Sequence, residues 1–182
     1  STKTRILKKL LETDGYLSGQ ELCEQLGVSR TAVWKYMKQL KEEGYEIEAV
    51  QNKGYCLKDV PDVLGESEIK SRLHTRWAGQ TLYYYDEIDS TNTQIKRLAE
   101  EDAPHGTLAV ADYQSRGKGR RGRAWDSPHG SAIYMSILFR PEIRPDRASM
   151  LTLVIGLSVT QAIRSNLGLQ AQIKWPNDVV LN

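Results

Sequence analysis

Apolar residues recur at helical spacing through the first forty positions. Ile6, Leu7, Leu10 and Leu11 share one helical face, and Gly15 lies a few residues past the expected end. Ser18-Gly19-Gln20-Glu21 has the order of a capping box. It opens a short second helix carrying Leu22, Cys23 and Leu26, with Gly27 suited to the left-handed position behind it. Ser29 caps a third helix, where Val33, Met37 and Leu40 repeat at i, i+4 and i+7 until Gly44. The period then falls to two: Tyr45, Ile47 and Ala49 alternate with Glu46 and Glu48. Asn52-Lys53-Gly54 gives a turn and Tyr55-Cys56-Leu57 a return strand. Two short helices across a glycine turn, followed by a hairpin, predict a winged helix-turn-helix over residues 1–60.

Pro61 and Gly65 mark residues 61–66 as a linker, and a second block fills 67–182. There Ser67 caps a short helix through about Arg72. Strand-like Thr81–Tyr85 precedes a helix from about Asn92 to Glu101, and strands Thr107–Ala111 and Ala132–Phe139 follow. A long apolar helix from about Arg147 to Asn166 meets Gly168 as its cap, and strand-like Ala171–Lys174 comes next. Short links such as Pro128–Ser131 favour a mixed, largely antiparallel sheet. The fold class is α+β.

Composition excludes rather than identifies. A chain of 182 residues, 40% apolar and 26% charged with net charge +2, holds one or two globular domains. It has no apolar run of membrane-spanning length and no signal-peptide pattern at Ser1-Thr2-Lys3, so a cytoplasmic protein away from membranes is expected. Cys23 and Cys56 are too few for a disulfide framework or zinc knuckle and read as small buried residues. His74, His105 and His129 share no metal spacing.

In a DNA-binding winged helix the start of the third helix enters the major groove and the wing touches phosphates. The candidate contacts are Ser29, Arg30, Thr31, Lys35, Tyr36 and Lys38 on the helix, with Asn52 and Lys53 on the wing. Residues 1–60 hold ten Lys or Arg against nine Asp or Glu. The acids Glu21, Glu24, Glu42, Glu43, Glu46 and Glu48 are expected on other faces, which leaves the reading side positive. A winged helix used for protein contacts is the competing reading.

The densest chemistry lies at residues 114–125. Arg116, Lys118, Arg120, Arg121 and Arg123 alternate with Gly117, Gly119 and Gly122, and Trp125 closes the run. Crowded cations on a glycine-rich backbone are costly to order until an anion neutralises them, which suits a phosphate or acyl phosphate. The glycines match G-x-G-x-x-G, but Arg123-Ala124-Trp125-Asp126-Ser127-Pro128 opens no amphipathic helix, and no Walker-type phosphate loop exists. A solvated loop or RNA-binding segment is the bland alternative. Asp89-Ser90-Thr91-Asn92, between strand and helix, holds more small polar groups than one cap needs. Ser127-Pro128-His129-Gly130-Ser131 reads as a turn beside the cations. In Lys174-Trp175-Pro176-Asn177-Asp178, Trp175 reads by default as core, Asn177 can hydrogen-bond a base or ribose, and Asp178 can hold Mg²⁺ through water.

In this order and spacing, Asp-Ser-Thr-Asn, the glycine-cation run, Ser-Pro-His-Gly and Lys-Trp-Pro-Asn-Asp resemble the biotin protein ligase family. With the winged helix, the chain is similar to the bifunctional ligase-repressor subgroup. The resemblance implies a class II aminoacyl-tRNA-synthetase-like ligase domain, incomplete here. The family continues past Leu181 with a lysine hairpin and a small β-barrel, and Lys174 does not replace that lysine. It also implies biotin contacts from Ser90, Thr91, Asn92, Gln114, Lys118, Gly119 and Arg120, with Lys118 and Arg120 catalytic. ATP contacts would come from Arg121, Arg123, Trp125, Asn177 and Asp178. Where the family most often has Arg, this chain has Lys118, which keeps the charge but loses the bidentate fork. The implied activity forms biotinyl-5′-AMP from biotin and ATP with Mg²⁺, then biotinylates a lysine of a carrier domain. The implied partners are that carrier, operator DNA and, with adenylate bound, a second copy of the chain. The runner-up is a non-catalytic, ligand-sensing winged-helix regulator.

Overall fold

Three helices open the chain where the apolar period places them: α1 (Thr2–Glu12), α2 (Gly19–Leu26) and α3 (Arg30–Glu42). The computed structural model describes residues 1–181 and divides into two units, Ser1–Phe139 and Arg140–Asn182. Ser18 Oγ accepts the Glu21 N–H at 3.0 Å and Ser29 Oγ the Ala32 N–H at 3.1 Å, so both predicted caps satisfy helix-end donors. Gly27 ends α2 in the left-handed region at φ 66°. Strands β1 (Glu46–Val50) and β2 (Gly54–Asp59) pair antiparallel as the wing. Ile6, Leu7, Leu22, Val33, Met37 and Leu40 form the buried core beneath it.

The wing is tied down by close backbone approach. Leu17 and Tyr55 exchange N–H···O bonds of 2.8 and 2.9 Å. A Cβ on Gly54 would fall 2.2 Å from the Leu17 carbonyl oxygen, so only glycine fits there.

Helix α4 (Glu66–Arg72) follows. Its cap position is Gly65 rather than the expected Ser67, because the helix begins two residues earlier, with Glu66 and Glu68 in its first turn. Strand β3 (Leu82–Ile88), helix α5 (Thr91–Glu100) and strand β4 (Leu108–Gln114) form a parallel β-α-β unit, and β7 (Tyr134–Ile137) pairs antiparallel with β4. The sheet order β3-β4-β7 is mixed. Leu108–Ala111 of the central strand is buried throughout, as a strand covered on both faces must be. Ile95 and Leu98 of α5 pack with Ala109 in one cluster. Leu64 and Ile69 pack with Leu82, Leu108 and Val110 in another.

In the second unit, α6 (Met150–Leu167) ends at Gly168 in the left-handed region. Strand β8 (Ala171–Lys174) pairs antiparallel with β9 (Asp178–Leu181), which periodicity did not predict. No helix among the described residues is long and apolar enough to cross a membrane. Cys56 is buried, whereas Cys23 is only half-buried, and both are free thiols.

Candidate functional site

Strand β3 delivers Asp89-Ser90 to the start of α5, where Ser90 holds the N-cap position without making the capping bond. Gln114, at the end of β4, caps instead: its Oε1 accepts the Thr91 N–H at 2.8 Å and the Thr91 hydroxyl at 3.2 Å. That fixes the amide orientation, and Gln114 Nε2 donates to Ser127 Oγ at 3.0 Å. Ser127 Oγ in turn donates to the Trp125 carbonyl at 3.2 Å. Ser136 Oγ lies 3.0 Å from Thr91 Oγ1, whose own proton goes to Gln114. One chain of polar groups thus joins α5, β4, β7 and the segment after the cations. Ser90 Oγ stands outside it, buried and without a hydrogen-bond partner, and so does the hydroxyl of Thr93. A buried hydroxyl left unpaired costs about 1–3 kcal/mol.

The glycine-cation segment forms a short hairpin. Strands β5 (Gly117–Lys118) and β6 (Ala124–Trp125) pair antiparallel around a 3-10 turn at Arg120–Gly122. The Gly119 N–H donates to the Arg123 carbonyl at 2.7 Å. Glycine is what permits this: a Cβ on Gly117 would lie 2.3 Å from the Trp125 carbonyl oxygen and 2.6 Å from Ser127 Oγ. Arg121 takes φ 59°, a left-handed conformation uncommon outside glycine and asparagine. The hairpin starts beside the Asp89 turn, since the Arg116 N–H donates to the Asp89 carbonyl at 2.8 Å. Lys118, Arg120, Arg121 and Arg123 are all exposed, and Trp125 is 61% exposed.

Asp89 is held below the ordinary carboxylate range, chiefly by its bonds to Arg97 at 2.8 and 3.2 Å. The Ser90 N–H and the nearby Lys118 charge add to this. The Ser127–Ser131 turn is pinned by Tyr134, whose hydroxyl donates to the Pro128 carbonyl at 3.1 Å. His129 stacks on Tyr113 with ring centres 4.6 Å apart and places Nδ1 2.8 Å from Asp112 Oδ2.

The structure therefore brings Ser90, Thr91, Asn92, Gln114 and the Lys118–Trp125 hairpin into one neighbourhood of the first unit. Asn92 is exposed on the first turn of α5. Asn177 and Asp178 belong to the second unit, at the turn between β8 and β9, where Asn177 Nδ2 donates to Asp178 Oδ1 at 2.9 Å. Trp175 is 78% exposed, not core as its type suggested, because it falls in the turn after β8 rather than on either strand. Sequence reasoning placed Ser127 only in a turn and gave no role to Ser136. For Ser136 the signal was present: it occupies the face of β7 shared by Tyr134 and Leu138, where an apolar residue is expected.

On the winged helix, Ser29, Arg30, Thr31, Lys35 and Lys38 are exposed along one side of α3, and Asn52 and Lys53 sit at the wing tip. Tyr36 instead leans half-buried on the core. Glu21 and Glu24 line the same groove as Arg30 and Lys53, so not every acid lies on another face; Arg30 reaches Gln20 at 3.3 Å, and Gln20 bonds Glu24. Tyr16 braces the wing, its hydroxyl on Glu48 and its ring under Lys53 and Lys58.

The model of the biotin/lipoate A/B protein ligase family matches residues 84–182, which hold the cap exchange, the cation hairpin and the β8–β9 turn. The chain belongs to that family. A helix-turn-helix domain model matches residues 2–56 ahead of it. The bifunctional ligase/repressor BirA of Bacillus spizizenii is 46% identical over 184 residues, covering 100% of this chain and 57% of that protein. The Escherichia coli protein of the same description is 36% identical, covering 94% of this chain and 52% of its own length. The chain thus spans little more than half of these relatives. Among solved structures, the biotin protein ligase from Aquifex aeolicus in complex with biotin and ATP superposes with TM-score 0.50 at 39% identity, covering 57% of this chain and 42% of that one. Family membership accounts for an α+β ligase fold behind a winged helix.

Proposed function

We propose that this chain is the biotin-activating and DNA-binding portion of a bifunctional biotin protein ligase, with residues 67–182 serving ligation, 1–60 serving DNA and 61–66 linking them. The observation that carries the reading is the unpaired, buried Ser90 hydroxyl at a helix start whose cap Gln114 has taken over. A cyclic urea such as biotin's offers both donors and an acceptor, and Ser90, Thr91, Asn92 and Gln114 offer the complementary groups. Lys118, Gly119 and Arg120 cover the carboxylate and α-phosphate, with Lys118 and Arg120 catalytic. Arg121, Arg123, Trp125, Asn177 and Asp178 hold the nucleotide.

The chemistry joins two anions: a biotin carboxylate oxygen attacks the α-phosphorus of ATP and pyrophosphate leaves. Two unit charges at 4 Å repel by about 1 kcal/mol in water but about 4 at an effective dielectric near 20. Closing the hairpin over the reactants therefore demands the cations that it carries. No three His, Cys, Asp or Glu among the described residues converge as a metal cage. Asp178 would hold Mg²⁺ through water, and the ion would neutralise charge on the phosphates. A lysine amine of a biotin carboxyl-carrier domain then takes the biotinyl group and AMP departs. Adenylate that orders the hairpin also favours a homodimer able to present two winged helices to a palindromic operator. Biotin-dependent exchange of labelled pyrophosphate into ATP tests the reading. Biotin binding without exchange would favour a regulator that performs no catalysis.

A further inference from the structure

Trp34 stands outward from α3, 61% exposed, one turn after Arg30 and one turn before Lys38. Its inward neighbours on the helix, Val33 and Met37, are buried, so the indole contributes nothing to the core of its own domain. Lys38 Nζ lies 5.9 Å from the ring centre, and Lys35 follows on the same exposed side. A large flat apolar surface thus sits amid three cations on the helix that would enter a DNA groove. Cations at the edge suit phosphates, whereas an apolar centre suits the one apolar group on the major-groove edge of DNA, the thymine methyl.

We propose that Trp34 is a specificity-determining residue that reads thymine by packing its ring on the C5-methyl group. The inference rests on the winged helix being a DNA reader. Arg30 and Lys35 anchor the helix on the phosphates, and Trp34 excludes water from the methyl. Any other base at that position leaves the indole against polar groups.

The test uses the whole chain with biotin, ATP and Mg²⁺. A duplex is selected from a random pool by the wild-type chain, and its thymines are then replaced singly by deoxyuridine, which removes only the methyl. Deoxyuridine at one or two positions should weaken wild-type binding about fourfold each, the equivalent of about 0.8 kcal/mol per methyl. Trp34→Ala should bind the parent duplex correspondingly more weakly and ignore the substitution, while Trp34→Phe keeps part of the sensitivity. Lys35→Ala should weaken every duplex alike and flatten the salt dependence. Wild-type binding indifferent to every deoxyuridine, or Trp34→Ala retaining the sensitivity, overturns the inference while leaving DNA binding intact. So does a Trp34→Ala chain that loses self-association but not thymine preference, which makes the indole a protein contact. If the wild-type chain selects no sequence, the DNA-reading assignment itself fails.

Discussion

Gln114 caps the helix that Ser90 introduces. The Gln114 side chain reaches across 23 residues of sequence to take the Thr91 N–H at 2.8 Å, leaving the nearer Ser90 hydroxyl unpaired. Gln114→Ala should therefore lower stability by about 1 kcal/mol, the usual worth of a cap, and weaken biotin binding at least tenfold. Calorimetric melting and biotin titration measure the two effects. A variant that loses the cap but binds biotin unchanged would detach this residue from the proposed site.

The two hairpin glycines should differ in tolerance. On Gly117 an added methyl meets backbone oxygen at 2.3 Å, whereas on Gly119 the nearest atom is 3.3 Å away. Gly117→Ala is expected to displace β6 and abolish pyrophosphate exchange. Gly119→Ala should retain a measurable rate. Equal loss in both would mean that backbone freedom, not close approach, sets the requirement.

Arg120→Ala removes a cation from the proposed adenylate grip while leaving the β5–β6 pairing. Adenylate should dissociate faster, and operator affinity should fall with it. Faster release at unchanged operator affinity would break the proposed link between hairpin order and dimer formation.

The wing and the caps of α2 and α3 were legible in the sequence because they are local: Ser18, Ser29 and Gly27 act within one turn of themselves. The cation hairpin was not, since two-residue strands carry no period, and their pairing depends on Gly117 lying against Trp125 and Ser127. The role of Gln114 was likewise hidden, because a cap supplied from a distant strand leaves no spacing rule. The exposure of Trp34 could not be read from its residue type, which is usually at least half-buried. Trp175 misled for the same reason.

Acid should loosen the site through Asp89. Its folded pKa lies below the ordinary 3.8, so its stabilising contribution is complete above that value and is lost as pH falls through the depressed pKa. The melting difference between wild type and Asp89→Asn should shrink toward zero across that acid window. A difference that stays constant from neutral to strongly acidic pH would remove the Arg97 pairing as its cause.

Helix α4 is only seven residues long, yet it faces two ways. The Tyr45 hydroxyl of the winged helix donates a hydrogen bond to Glu68 at 2.6 Å, while Ile69 lies among the sheet residues Leu82, Leu108 and Val110. Burial, then the Glu68 bond, raise the pKa of the Tyr45 phenol well above its usual value. The winged helix and the sheet thus both rest on one short helix, so a substitution in α4 made for the sake of one will be felt by the other.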